Sequence, residues 1–176
     1  MKKVAIFGKP GGGKSTLAMN LAAVTGLKYF PLDTVEYNKN GERISPEDFL
    51  GEHSKLIESD NWIIDGLGTM ESFWARIDAA DTLIIVDLPY YIHYWWITKR
   101  LLKSCFVRPV GWPEGSSVLK GTFASWQYLR LSPRFWSDEL FDKIQSLGEN
   151  KKIYRIEKVD EINSFAHRFS RTDTNI

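Results

Sequence analysis

The sequence predicts an α/β fold, a parallel sheet covered on both faces by helices, and three observations lead there. Short apolar runs alternate with segments of helical length along the 176 residues; the first run, Val4 to Phe7, opens into glycines and then a helix; and three of the runs end at an aspartate. Strands buried on both faces read as continuous apolar stretches, and sheets built from them bind ligands at the carboxyl ends of the strands. Asp33, Asp65 and Asp87 all fall at that end.

The elements follow in order. After Val4 to Phe7 comes a helix over Lys14 to Val24, then a short strand around Lys28 to Leu32 that ends at Asp33. Thr34 to Ser45 is polar, with Asn40 and Gly41 marking a turn. Ser45, Pro46, Glu47 and Asp48 supply a capping hydroxyl, a first-turn proline and acids near the positive end of the dipole, so a helix runs to about Glu58. Trp62 to Ile64 is the third strand and Thr82 to Val86 the fourth, with a helix over Met70 to Asp78 between them. From Tyr90, apolar positions at Ile92, Trp95, Trp96 and Leu102, with cations at the far end, suit an amphipathic helix. Cys105 to Gly121 reads as a loop, because it holds Pro109, Gly111, Pro113 and Gly115. Thr122 to Leu147 reads as helix with a break near Ser132 and Pro133. Lys152 to Ile156 is the last strand, Val159 to Phe169 the last helix, and residues 171–176 a frayed tail.

Residues 1–176 make one domain, since 43% hydrophobic residues suffice for a sizeable core. With 23 basic against 22 acidic residues the net charge is +1, so no global field argues for nucleic acid or an anionic membrane as partner. No stretch reaches the roughly 18 apolar residues of a membrane span, and the short apolar run at the N-terminus is a strand and no signal segment. One cysteine, Cys105, allows no intramolecular disulfide. The expected location is the cytoplasm. Oligomeric state is not written in the sequence.

Gly8 to Ser15 reads GKPGGGKS and meets G-x-x-x-x-G-K-[ST] at every fixed position, between a strand and a helix. The loop of Gly8, Pro10, Gly11, Gly12 and Gly13 turns backbone N–H groups toward one anion, and the helix adds its positive end. Lys14 is placed to bridge the β- and γ-phosphates of a nucleoside triphosphate. The Ser15 hydroxyl is placed to ligate Mg²⁺, and Thr16 to contact the α-phosphate.

Phosphoryl transfer needs a carboxylate near the metal and often a base beside the acceptor. Asp65, after Trp62-Ile63-Ile64 and before Gly66, is expected to act on Mg²⁺ through water. Asp87, after Ile84-Ile85-Val86, is the alternative for that role or else a turn former before Pro89. Asp33 is expected to hold or deprotonate a small-molecule acceptor.

Between Lys99 and Arg134 seven cations face the single acid Glu114. A loop flanked by arginines on the carboxyl side of the sheet suits a lid over ATP, about residues 99–121, with Arg100 and Arg108 closing on the transferring phosphoryl. Trp112, Trp126, Tyr128 and Trp136 are expected to form the core of this region in preference to stacking on a base. His53, His93 and His167 are isolated and give no zinc pattern.

With these residues in place, the chain resembles the P-loop small-molecule kinases of the adenylate kinase and shikimate kinase type, and within them the DNA topology modulation (FlaR-like) proteins. The likeness runs from about Lys3 to Phe165 and rests on GKPGGGKSTLA, PLDTVEYN, NWIIDG, ESFWARIDAADTLIIVDLP and the basic aromatic segment with WQYLR. It implies the P-loop NTPase fold, three layers around a five-stranded parallel sheet of order 2-3-1-4-5, with the strand of Asp65 beside the P-loop strand. It also implies an acceptor-binding role for Arg76. Asp65-Gly66 is followed by Leu67-Gly68-Thr69 where adenylate kinases continue Phe-Pro-Arg, which sets a nucleoside monophosphate acceptor in question. Asn38-Lys39-Asn40-Gly41 lacks the aspartate of a guanine motif, so ATP is expected. The alternatives are a nucleotide-switched regulatory protein touching nucleic acid, or a plain NTPase.

Overall fold

The computed structural model describes residues 1–38, 42–104, 118–148 and 150–170. Five strands, β1 (Lys3–Gly8), β2 (Tyr29–Pro31), β3 (Trp62–Asp65), β4 (Thr82–Val86) and β5 (Lys152–Ile156), form one parallel sheet in the order β2-β3-β1-β4-β5. This is the order that the resemblance implies. The register pairs Ile6 with Asp65 and Pro31 with Asp65, so the carboxylate ends its strand beside the start of the phosphate loop. Gly8 leaves the sheet opposite Val86.

The alternation of β1 divides the core. Val4 and Ile6 face one side, where Leu17 and Leu21 of α1 (Lys14–Thr25) meet Ile162 and Phe165 of α8 (Val159–Phe165). Ala5 and Phe7 face the other side, toward Phe49 of α3 (Pro46–Glu58), Phe73 and Ile77 of α4 (Met70–Ala79), and Phe141 and Ile144 of α7 (Asp138–Ser146). Phe73 has no exposed surface and packs edge-on to Phe7, Trp74, Phe135 and Trp136, at 4.7 Å from the first. Apolar surface removed from water in these two layers is what holds the sheet.

Helix starts follow local chemistry. Ser45 Oγ accepts from Asp48 N at 3.1 Å ahead of α3, and Thr69 Oγ1 accepts from Ser72 N at 3.2 Å ahead of α4. Gly26, with φ 71°, closes α1 in the left-handed conformation.

Several expectations are revised. The second strand stops at Pro31, and Asp33 lies in the first turn of a four-residue helix, α2 (Leu32–Val35), instead of at a strand end. The loop before α6 (Val118–Leu131) is shorter than read, because the helix starts upstream of Gly121. The last helix is split at Ala166 into α8 and α9 (His167–Ser170). In α5 (Tyr90–Ser104) the buried positions are His93 and Ile97, whereas Trp95 and Leu102 are 60% exposed. That helix turns toward the phosphate loop, so its inner face carries His93, Trp96, Ile97 and Arg100. Cys105, Arg108, Trp112 and the expected loop up to Ser117 lie outside the described residues, as do residues 171–176. No described helix is long and apolar enough to cross a membrane.

Candidate functional site

The phosphate loop wraps its own lysine. Lys14 Nζ donates to the carbonyl of Lys9 at 2.8 Å, which holds the ammonium across the mouth of the loop. Gly8, Gly11 and Gly13 all take positive φ, and a Cβ at Gly8 would stand 2.3 Å from the carbonyl oxygen of Val86. Burial lowers the Lys14 pKa, against the raising effect of Asp65 and Asp33.

Asp87 and His93, both outside the motif, hold the loop in place. Lys9 is buried and pairs with Asp87, whose other oxygen accepts from Arg155 Nε at 3.0 Å. The Lys9 ammonium also lies 4.6 Å over the Tyr90 ring. Burial alone would raise the Asp87 pKa, but hydrogen bonds and charge from Lys9 and Arg155 outweigh it and hold the carboxyl low. His93 has no exposed surface, and its ring nitrogens stand 2.9 Å from the Pro10 carbonyl and 3.1 Å from that of Leu88. A Cβ at Gly12 would meet His93 Cε1 at 2.8 Å, and one at Gly11 would meet Ile97 at 2.5 Å. Close approach of α5 is therefore why these loop positions are glycine.

Above the loop, Ser15 Oγ donates to Asp65 Oδ2 at 2.7 Å, and the Tyr29 hydroxyl donates to Asp65 Oδ1 at 3.0 Å. Asp65 is 4% exposed, and burial raises its pKa against the opposing hydrogen bonds and the Lys14 charge. Burial and the Asp65 charge likewise push the Tyr29 phenol up. Of the two aspartates that the sequence left open, Asp65 meets Ser15, and Asp87 is spent on Lys9 and Arg155.

A cavity of about 870 Å³ opens over the loop. It is lined by Gly8 and Pro10 to Thr16 of the loop, by Asp33, Glu36, Tyr37 and Asp65 to Leu67, and by Trp96 and Arg100 of α5 with Lys120 and Tyr128 of α6. Asp33 and Arg100 are close enough that the Asp33 charge offsets part of the pKa depression that burial imposes on Arg100. A Cβ on Gly66 would lie 3.7 Å from Asp33 Oδ1, which puts that carboxylate against the turn following Asp65. Lys14, Ser15, Thr16, Asp33, Asp65 and Arg100 thus share one cavity. Tyr128 lines it, where the sequence reading put this residue in core, whereas Trp136 is buried as expected.

Arg76 does not line the cavity. It is fully buried, and its Nε donates to Ser72 O at 3.1 Å, Nη1 to Gly66 O at 2.8 Å and Nη2 to Leu67 O. The guanidinium lies 4.9 Å over the Phe7 ring. Burial lowers its pKa to about 9, so it stays charged at neutral pH.

Sequence reasoning missed Tyr29, Lys9, Glu36, Tyr37 and His93. Lys9 occupies a position that the motif leaves variable, and His93 lacks the histidine or cysteine neighbours that would mark a ligand. The one available signal was Tyr29, which sits on a strand whose end had already been singled out.

No protein-family model matches the chain, and no curated protein is similar to it in sequence. Among solved structures it is similar to a shikimate kinase from Acinetobacter baumannii in complex with shikimate, at 15% identity, 96% of this chain and 90% of that one, with a TM-score of 0.56. A sugar kinase from Janibacter sp. HTCC2649, unliganded, matches at 15% identity over 97% and 90% of the two chains with a TM-score of 0.48. Shikimate kinase from Aquifex aeolicus matches at 14% identity over 94% and 91%, also with a TM-score of 0.48. The chain has the P-loop kinase fold.

Proposed function

We propose that the protein is a phosphotransferase that moves the γ-phosphoryl of ATP to a small-molecule acceptor with Mg²⁺. The observation that carries this reading is the shared cavity, in which the phosphate loop, Asp65 and Arg100 surround one space with Asp33 at its wall. Lys14 and the loop amides bind and orient the triphosphate, and Arg100 of α5 acts on the charge that develops on the transferring group. Asp33 holds the acceptor hydroxyl and takes its proton.

The donor set fits Mg²⁺. Ser15 Oγ and Asp65 Oδ2 are hard oxygen donors 2.7 Å apart, and the described residues contain no group of three or more His, Cys, Asp or Glu that would form an all-protein cage. Mg²⁺ is usually held by few protein oxygens together with waters and phosphate oxygens. When bound it neutralises phosphate charge, with Ser15 as ligand and Asp65 acting through water.

Titration with Mg²⁺-ATP should release heat and raise the melting temperature. ³¹P NMR over a broad panel of nucleosides, nucleotides and metabolites should show transfer that Lys14→Ala abolishes in a folded protein. Failure to bind Mg²⁺-ATP sinks the reading; steady release of phosphate without any phosphorylated acceptor would make the protein a plain NTPase.

A further inference from the structure

We infer that the outer faces of α5 and α6 form a docking surface for an anionic lipid membrane, on which the protein rests without crossing it. The side chains concerned lie outside the cavity, so the inference stands independently of the phosphotransferase reading.

Large apolar side chains left in water are ordinarily scattered singly over a protein. Among the described residues ten are exposed, and seven of these lie on two helices: Tyr91, Tyr94, Trp95 and Leu102 on α5, and Leu119, Phe123 and Leu131 on α6. Tyr91 is 73% exposed and Phe123 62%. The helical repeat gathers them into stripes. Tyr91, Trp95 and Leu102 fall within about 40° of one another around α5, and Leu119, Phe123 and Arg130 do the same around α6. On the opposite side of α5, His93 is buried and Arg100 lines the cavity; on the opposite side of α6, Gly121 and Tyr128 line it too. The helices pack against each other, and both stripes turn away from the cavity that they share.

Charge identifies the partner. Neither helix contains an acid, and together they carry five cations, Lys99, Arg100, Lys103, Lys120 and Arg130. Since the whole chain has a net charge of +1, the residues outside these helices sum to −4. The chain as a whole has no field that draws it to an anionic surface, but this side of it does, and the acidic remainder turns that side toward the surface. Lys99 and Lys103 are exposed beside Leu102, and Arg130 is exposed beside Leu131. Cations bordering an aromatic and leucine stripe are the pattern of helices that lie in the headgroup layer.

The leucines favour lipid over single-stranded nucleic acid. A base stacks on Trp, Tyr or Phe, whereas Leu102, Leu119 and Leu131 offer it no π-face. In the headgroup layer every one of these side chains gains from leaving water, and the Trp95 indole and the Tyr91 and Tyr94 phenols keep their polar ends among the headgroups.

Co-sedimentation of the full chain with vesicles tests this. Phosphatidylcholine vesicles containing about 30% phosphatidylserine should bind at least about tenfold more tightly than pure phosphatidylcholine, and binding should weaken at about 1 M salt. The pair Lys99→Glu, Lys103→Glu and the pair Trp95→Ser, Leu102→Ser should each weaken binding to the anionic vesicles by at least about tenfold. All four side chains are solvent-facing, so both variants should melt within a few degrees of wild type, which shows that they are folded. Absence of vesicle binding, equal binding to neutral and anionic vesicles, or full binding by either folded variant overturns the inference. So does retention of single-stranded oligothymidylate, or self-association that Trp95→Ser, Leu102→Ser abolishes, by a protein that the vesicles do not bind; the face would then belong to nucleic acid or to a second copy of the chain.

Discussion

Ser15 and Asp65, fifty positions apart in the chain, are joined by a 2.7 Å hydrogen bond from the hydroxyl to Oδ2. The bond links the first turn of α1 to the end of β3, and parallel pairing of β1 with β3 brings those two points together. Hydroxyl and carboxylate are therefore held at a separation that one hard cation with its waters can span before any ligand arrives.

Tyr29 holds the other oxygen of Asp65 at 3.0 Å and so fixes the plane of the carboxylate. Removing such an outer partner typically costs about 10–100-fold in metal affinity. Tyr29→Phe should therefore raise the Mg²⁺ concentration for half-maximal turnover by about tenfold, and Asp65→Asn should reduce turnover on the order of a hundredfold or more. A Mg²⁺ titration of turnover in the folded variants checks both. An unmoved midpoint in Tyr29→Phe would mean that the phenol does not position Asp65.

Asp87 is the second carboxylate at the strand ends, and its work is structural. It pairs with Lys9, whose side chain is 4% exposed, and with Arg155. Asp87→Asn leaves the Lys9 charge buried and should destabilise the protein by about 3 kcal/mol. Because its folded pKa lies below the ordinary value of 3.8, the ionised pair stabilises fully above that value and is lost as pH falls through the depressed one. The stability gap between wild type and Asp87→Asn should thus be constant near neutrality and close in strong acid. Urea unfolding at a series of pH values measures it, and a gap that persists unchanged at the acid end contradicts the assignment.

Much of this architecture is legible in the sequence because the relevant forces are local or periodic. The glycines, Lys14 and Ser15 declare a phosphate loop by spacing, and uninterrupted apolar runs declare a doubly covered sheet. Arg76 illustrates what is hidden. A lone arginine four residues into the last two turns of a helix looks the same whether it reaches a ligand or three backbone carbonyls, and only the path of Gly66 to Gly68 decides. Asp33 reads as a strand end because Tyr29-Phe30 is β-prone, yet Pro31 supplies no amide to continue the ladder and α2 begins at once. The inner face of α5 was misread for a related reason. Its burial is set by the phosphate loop and includes a histidine, which a hydrophobic pattern does not count.

His93 and His53 bring a pH dependence of their own. Both are buried, and burial is the leading cause that pushes each pKa down to about 4 from 6.5. The unfolded chain thus takes up their protons more readily than the native one. Stability should be fully present above about pH 6.5 and decline as pH falls toward 4, levelling off below it. His93→Gln should flatten part of that decline, with His53 carrying the rest. Thermal melts between pH 4 and 7 test this, and an identical slope in wild type and His93→Gln would show that the ring does not titrate with folding.

Arg76 gives the sharpest separation between bracing and binding. Its three donors satisfy carbonyls at the start of α4 and in the turn after Asp65, and its guanidinium covers Phe7 inside the core. Arg76→Ala strands those carbonyls and opens a cavity under the sheet, which together should cost about 3 kcal/mol, or roughly 6–12 °C in melting temperature for a chain of this size. Arg76→Lys keeps the charge but lacks the planar fork that reaches Gly66 and Leu67 at once, so it should recover only a minor part of the loss. A residue that contacted the acceptor would behave in the opposite way, raising the acceptor KM with little change in melting. Measuring melting temperature and acceptor KM on the same two variants distinguishes these outcomes, and a large KM change at unchanged melting temperature would return Arg76 to the binding site.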